Sequence, residues 1–208
     1  MSASQRLRAP QQARSRESLE RIYQAVNLIS GEKAFDRLTV SEIAKAADVA
    51  VGTIYQRFAT KDDLLLELYE HYIREAVSAV DNLIFSTSTA TRNERVKNII
   101  QIVSDLFLSH RGIVRSFVLK YRSDPNEVPD NYYREIDAVV GRVDKYLQAG
   151  EISQRQAEIC RSFIIANCRE HVLFESFQGF AKDNPNAEFR GMLETAAIAI
   201  LAMDRDGQ

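Results

Sequence analysis

Apolar residues return at spacings of three and four along nearly the whole chain, and no stretch alternates with the period of two that a half-buried strand requires. Leu19, Ile22, Tyr23, Val26 and Ile29 form the first such stripe, stopped near Gly31. Short helices are predicted over 40–47 and 51–58. Thr60-Lys61-Asp62-Asp63 then opens a long one that carries Leu64, Leu65, Leu66 and Leu68 and continues through Tyr72, Ile73, Val77 and Val80. Beyond the polar break at 86–90, Val96, Ile99, Ile100, Val103, Leu106 and Phe107 mark a fifth helix, and 113–121 a sixth, ended by Asp124-Pro125 and Pro129. Tyr132, Tyr133, Ile136, Val139, Val140, Val143 and Leu147 make a seventh, stopped by Gly150. An eighth covers 153–178, and a ninth follows the Asp183-Asn184-Pro185-Asn186 break, from 187 to 203. The fold expected is all-α, with about nine helices.

The second and third helices form a small unit of their own. Thr39-Val40-Ser41-Glu42 has the T-x-x-E form of a capping box, in which the Thr39 hydroxyl meets the Glu42 N–H and the Glu42 carboxylate reaches back to the Thr39 N–H. Leu38 and Ile43 stand at the flanking positions of a hydrophobic staple. Ile43, Ala44 and Ala47 give a narrow face of small residues, completed by Val49, Ile54 and Phe58 into a miniature core. Asp48 falls in the turn, where a positive φ is often needed and Asp is among the few non-glycine residues that tolerate it. Two helices this short need the first as a floor, giving a three-helix head with a helix-turn-helix. The third helix then presents Val51, Thr53, Tyr55, Gln56 and Arg57, whose hydroxyls, amide and guanidinium suit phosphates and base edges. Lys61 adds a cation at the next helix start.

The charge is distributed to match. Residues 1–60 hold nine Lys/Arg against six Asp/Glu, while residues 61–208 hold eighteen against twenty-three. A domain boundary is therefore expected near residue 60, with a basic arm over 1–15 and a body over 61–208.

The run IAKAADVAVGTIYQRFATKDDLL, residues 43–65, closely resembles the signature of the TetR family of bacterial regulators. Ile43, Ala44, Ala47, Val49, Gly52, Thr53, Ile54, Tyr55, Phe58, Lys61 and Leu64 match it, and Gly31, Phe35 and Thr39 fit its upstream spacing; the rest of the chain agrees only in helix count and length. The resemblance implies phosphate contacts from Tyr55 and Lys61, a close approach to DNA at Gly52, and groove-facing positions at Val51, Thr53 and Gln56. With Thr39, Ser41, Ala50 and Arg57, these make the expected DNA-binding set. Three positions depart from the signature: Asp48 stands for the usual Gly, Ala50 for a Ser or Thr, and Arg57 for a His or Tyr. The operator sequence therefore cannot be borrowed from a relative.

The resemblance also implies a dimerising C-terminal helical bundle enclosing a small-molecule pocket, with effector binding changing the spacing of two heads on successive major grooves, about 34 Å apart. Candidates for that pocket are Phe107, Phe117, Tyr121 and Phe174, with Asn167 and His171 as polar anchors; core packing is the competing role for each. The eighth helix is apolar round most of its circumference through Phe163, Ile164, Ile165, Ala166, Val172, Leu173, Phe174 and Phe177. Ala196, Ala197 and Ala199 of the ninth would admit a close partner helix. A twofold homodimer through the last two helices is expected; the other reading is a fully internal helix in a monomer.

Other classes have little support. The longest apolar run, 196–203, is far short of the ~20 residues that span a bilayer. Arg6, Arg8, Arg14 and Arg16 precede no apolar segment, so no leader is expected and the cytoplasm is the expected location. Cys160 and Cys168, about 12 Å apart along one helix, cannot bridge within the chain; a redox role across a dimer stays open. His71, His110 and His171 are scattered, and no metal, cofactor or catalytic motif accompanies them. The expectation is a ligand-responsive repressor of a palindromic operator and not an enzyme. The alternative is a helix-turn-helix regulator with no ligand pocket, controlled by a protein partner or DNA architecture.

Overall fold

The computed structural model describes residues 3–30, 33, 35–121, 130–174 and 184–203, with the backbone alone at 3–15, 130–133, 174 and 203. The described residues form nine α-helices, a 3₁₀ turn and no strand. The helices are α1 (Ala3–Ile29), α2 (Val40–Ala46), α3 (Val51–Tyr55), α4 (Lys61–Ser86), α5 (Arg92–Ser109), α6 (Arg111–Tyr121), α7 (Asp130–Gln148), α8 (Gln154–Phe174) and α9 (Pro185–Met203); the 3₁₀ turn is Phe35–Arg37. The all-α expectation holds, and most helix limits fall within a few residues of the sequence reading.

The differences have local causes. α1 starts at Ala3, well before the stripe at Leu19, so the backbone expected as a basic arm is helical; its arginine side chains lie outside the described residues, as does Gly31. α3 ends at Tyr55 and not at Phe58, although the Phe58 N–H still reaches the Ile54 carbonyl at 2.9 Å. The expected extension of α8 to Gln178 also lies outside the described residues.

Helix starts are fixed by side-chain caps. The Thr39 pattern recurs at Thr60–Asp63, Thr91–Glu94 and Ser153–Gln156, where each hydroxyl takes the third residue's N–H and that residue's side chain takes the cap's N–H. At the end of α7 the positive φ falls on Glu151 (63°) and not on Gly150. Gly150 is needed for space: a Cβ there would lie 2.8 Å from Arg95 Cδ and 3.1 Å from Arg92 Cα.

The chain divides into two compact units, Met1–Tyr69 with His110–Ser123 and Glu70–Ser109 with Asp124–Gln208. In the first, α1 packs on α2 and α6, α2 on α3, and α6 on the 3₁₀ turn. Ile22, Val26, Ile43, Ile54, Leu64 and Ile113 are almost fully enclosed. The Tyr69 and Phe117 rings stack at 3.7 Å, with Tyr121 4.6 Å from Phe117. His110, also buried, has Nδ1 2.8 Å from the Tyr23 hydroxyl and 3.1 Å from Asn27 Nδ2. The membership of α6 in this unit was not part of the sequence reading, because a helix's own periodicity does not say which neighbour receives it.

In the second unit α5 packs on α7, α8 and α9, and α8 also on α7 and α9. Their shared core includes Ile99, Tyr146, Leu147, Ile164, Phe189 and Leu193. Arg95 is buried within it, donating to the carbonyls of Ser88 (2.7 Å), Ala90 (2.9 Å) and Tyr146 (3.2 Å) and lying over the Tyr146 ring. Its charge is thus spread over carbonyl dipoles, the condition for holding a cation inside a core. Cys160 and Cys168 are enclosed in the same core, and burial pushes their thiols up to about 11 and about 12. They behave as small apolar residues. Among the described residues no helix is long and apolar enough to cross a membrane, and no group of three or more His, Cys, Asp or Glu is placed to hold a metal.

Candidate nucleic-acid interface

The wedge read from the sequence is assembled in the structure. Ile43, Ala44, Ala47, Ile54 and Phe58 are buried, as is Leu38 ahead of the capping box, while Val49 is half-buried. The Thr39 N–H donates to Glu42 Oε2 at 2.7 Å, the Thr39 hydroxyl donates to the same oxygen at 2.8 Å, and the Glu42 N–H returns to that hydroxyl at 3.1 Å. Lys33 closes the group with its ammonium 2.6 Å from Glu42 Oε1. Lys33, then the Thr39 backbone and hydroxyl donors, hold the Glu42 carboxyl down at about 2.

The turn between α2 and α3 is a Schellman closure. Asp48 has φ 52°, its N–H reaches the Lys45 carbonyl at 3.3 Å, and the Val49 N–H reaches the Ala44 carbonyl at 3.0 Å. Arg21 of α1 locks it, donating to the Asp48 carbonyl at 3.1 Å with the Asp48 carboxylate 3.7 Å away. Arg21 and Lys33 were missing from the sequence reading, which had Glu42 only as the partner of Thr39. Arg21 had no local signal, since its partner lies 27 positions on.

On this frame Val51, Gly52, Tyr55, Gln56 and Arg57 are exposed and Thr53 is half-buried. Tyr55 is 58% exposed despite its aromatic ring. No carboxylate occurs from Val49 to Lys61. Ala50 stands at the start of α3 with extended backbone and no side-chain cap, as expected of an alanine in place of Ser or Thr. Ser41 is exposed, whereas the Thr39 hydroxyl is committed to its cap. Lys61 is held back: its ammonium donates to the Asp36 carbonyl at 2.8 Å and lies 5.0 Å from the centre of the Phe35 ring. Burial lowers its pKa, with the like charges of Lys120 and Lys33 adding to the effect against Asp36 and Asp62.

The candidate effector residues are distributed over both units. Phe117 and Tyr121 are buried in the first. In the second, Phe107 packs edge-on to Tyr72, Asn167 donates to the Phe163 carbonyl at 2.8 Å, and the His171 ring stacks on Phe189 at 4.3 Å. The Phe174 side chain lies outside the described residues. None of the described five lines the open groove of about 390 Å³ formed on α4 and α7 by Ile73, Val77 and Ala138 with Arg74, Ser78, Glu135 and Arg142.

Residues 24–68 match the family model described as bacterial regulatory proteins, tetR family. Over 156 residues the chain is 27% identical to the fatty acid metabolism regulator protein of Bacillus subtilis, covering 71% of this chain and 77% of that one. A solved tetR-family regulator from Mesorhizobium loti superposes with a TM-score of 0.68 at 16% identity, over 91% of this chain and 98% of its own. The transcriptional regulator FadR of Bacillus subtilis, solved in complex with stearoyl-CoA, superposes with a TM-score of 0.62 at 22% identity, over 88% and 96%. A capped, locked helix-turn-helix at the matched residues and a helical architecture shared along most of the chain lead to one assignment: residues 24–68 form a DNA-binding domain of the TetR family, and the chain is a DNA-binding transcriptional regulator.

Proposed function

We propose that the chain acts as a homodimeric repressor which grips a palindromic operator through α3 and leaves it when an apolar effector enters the helical body. The observation that carries the DNA contacts is the surface formed by α3 and the two residues that follow it: exposed, free of carboxylates, furnished with the Tyr55 hydroxyl, the Gln56 amide and the Arg57 guanidinium, and set by the Thr39–Glu42 box and the Arg21–Asp48 lock. Thr39, Ser41, Ala50, Val51, Gly52, Thr53 and Lys61 complete the proposed set, which assigns the DNA-binding role to residues up to about 60 and effector and dimer roles to those beyond. The replacement of Tyr55 by Phe together with Lys61 by Ala lowers affinity for all duplex sequences and flattens the salt dependence of binding. Unchanged affinity in a fluorescence anisotropy titration at several salt concentrations would sink this reading.

For the effector, the Bacillus regulator solved with stearoyl-CoA supports a long-chain acyl thioester as the first class to try. Stearoyl-CoA is expected to raise the melting temperature and to release bound duplex. If it does neither, and a library of apolar and aromatic metabolites gives the same result, the regulator without a ligand pocket, governed by a protein partner or DNA architecture, is the better account.

A further inference from the structure

The first unit carries an open cleft of about 770 Å³ formed by the 3₁₀ turn, the first turns of α4, and α6. That volume is in the range of small-molecule sites, about 300–1,000 Å³. Part of its wall is apolar, from Phe35, Leu65 and Leu119. The rest is charged and, among the described residues, unbalanced: Arg37, Lys61, Arg115 and Lys120 face it with Asp36 and Asp62.

The existing contacts do not cancel that surplus. Lys120 pairs with Asp62, but Lys61 is met by the carbonyl of Asp36 and not by a carboxylate. Lys120 also bears on Lys61 as a like charge. Arg115 is the sharpest case. Its Nε is buried and, among the described residues, has no hydrogen-bond partner. A buried donor left unmade is costly, and more so on a charged group. The Ser30 and Ser116 hydroxyls give their protons to carbonyls of their own helices, Val26 at 2.5 Å and Gly112 at 2.7 Å. The donors left for an incoming oxygen are therefore cationic, which selects an anion over a neutral polar molecule. A bare phosphate or carboxylate would leave the apolar wall wet.

We propose that this cleft binds a small organic anion, its phosphate or carboxylate anchored by Arg115 and its apolar part laid against Phe35, Leu65 and Leu119. The site belongs to the first unit and is separate from the effector proposed for the body; it shares Lys61 with the proposed DNA contacts, so its test rests on Arg115 and Lys120, which lie outside that set.

Phenyl phosphate is a suitable probe, with inorganic phosphate and phenol as its two halves. Calorimetric titration of the full chain is expected to give a dissociation constant below about 1 mM for phenyl phosphate. Inorganic phosphate should bind at least about tenfold more weakly because it leaves the apolar wall exposed, and phenol should give no heat. Arg115→Gln and Lys120→Gln should each weaken phenyl phosphate about tenfold or more, the scale of a lost charged hydrogen bond, with the helical circular dichroism kept. If Arg115→Gln fails to fold, Lys120→Gln decides. Arg115→Gln should bind a random-sequence duplex with the wild-type affinity and salt slope, which keeps this test separate from the repressor reading. The absence of heat from phenyl phosphate at about 10 mM, or full binding by both folded variants, overturns the proposal. A reduced salt slope for duplex binding by Arg115→Gln also overturns it, by assigning these cations to the DNA backbone.

Discussion

Gly52 is exposed, and a Cβ built on it would meet no atom of the described residues within 4 Å. No packing among the described residues therefore requires a glycine here; a docked surface would. Gly52→Ala is expected to leave thermal stability unchanged or to raise it by up to about 1 kcal/mol, the usual gain when alanine replaces a helical glycine. The same variant should lose about tenfold in duplex affinity, the order of cost of a methyl forced into a packed contact. Wild-type affinity in an anisotropy titration would remove Gly52 from the interface. Glu42 lies at the same scale. Its folded-state carboxyl sits at about 2, below the ordinary 4.5, so its contribution to stability is present above pH 4.5 and lost as pH falls toward 2. Acid titration of wild type against Glu42→Gln should show the two stability curves converging across that window.

Between elements, the decisive contact is that of α1 with α6. A Cβ on Gly112 would lie 2.1 Å from Ser30 Cβ and 3.0 Å from the Ser30 backbone, so the first turn of α6 approaches the end of α1 as only a glycine permits. Gly112→Ala should destabilise by about 1–3 kcal/mol, as overpacking does, and lower the melting temperature by about 2–4 °C for each kcal/mol. Ser30→Gly added to it should recover part of that loss. Non-additivity of the pair, read from thermal melts of the two single variants and the double variant, is the check. The repeated caps at Thr39, Thr60, Thr91 and Ser153 work at this scale too. Each fixes where a helix begins, and so which turn of it faces its neighbours.

At the scale of the whole molecule, assembly depends on what α8 and α9 leave exposed. α9 turns Phe189, Leu193, Ala197 and Leu201 into its own core, each no more than 1% exposed, yet leaves Ala199 and Ala202 exposed and Met192 36% exposed; Ile159 of α8 is 42% exposed. That second apolar face supports the proposed homodimer. Ala199→Arg should convert the protein to a monomer by analytical ultracentrifugation with its helical spectrum intact, and should weaken binding to a palindromic duplex more than to a half-site. The cysteines give a complementary expectation. Enclosed in the core with raised thiol pKa values, Cys160 and Cys168 should resist alkylation in the native protein and react only after denaturation.

Sequence alone determined the parts that depend on neighbours a few positions apart. Helical periodicity, the T-x-x-E box at Thr39, the tolerance of Asp48 for a positive φ and the small apolar wedge were all readable, because each is settled within one or two turns of chain. The caps at Thr91 and Ser153 follow the same local pattern, although the sequence reading did not name them. Tertiary structure decided what acts over distance: Arg21 on the Asp48 turn, Lys61 held by the Asp36 carbonyl, Gly112 against Ser30, and the cleft where α6 meets the 3₁₀ turn. These contacts join residues far apart in sequence, and the apolar stripe that marks a helix as buried is the same whichever partner buries it.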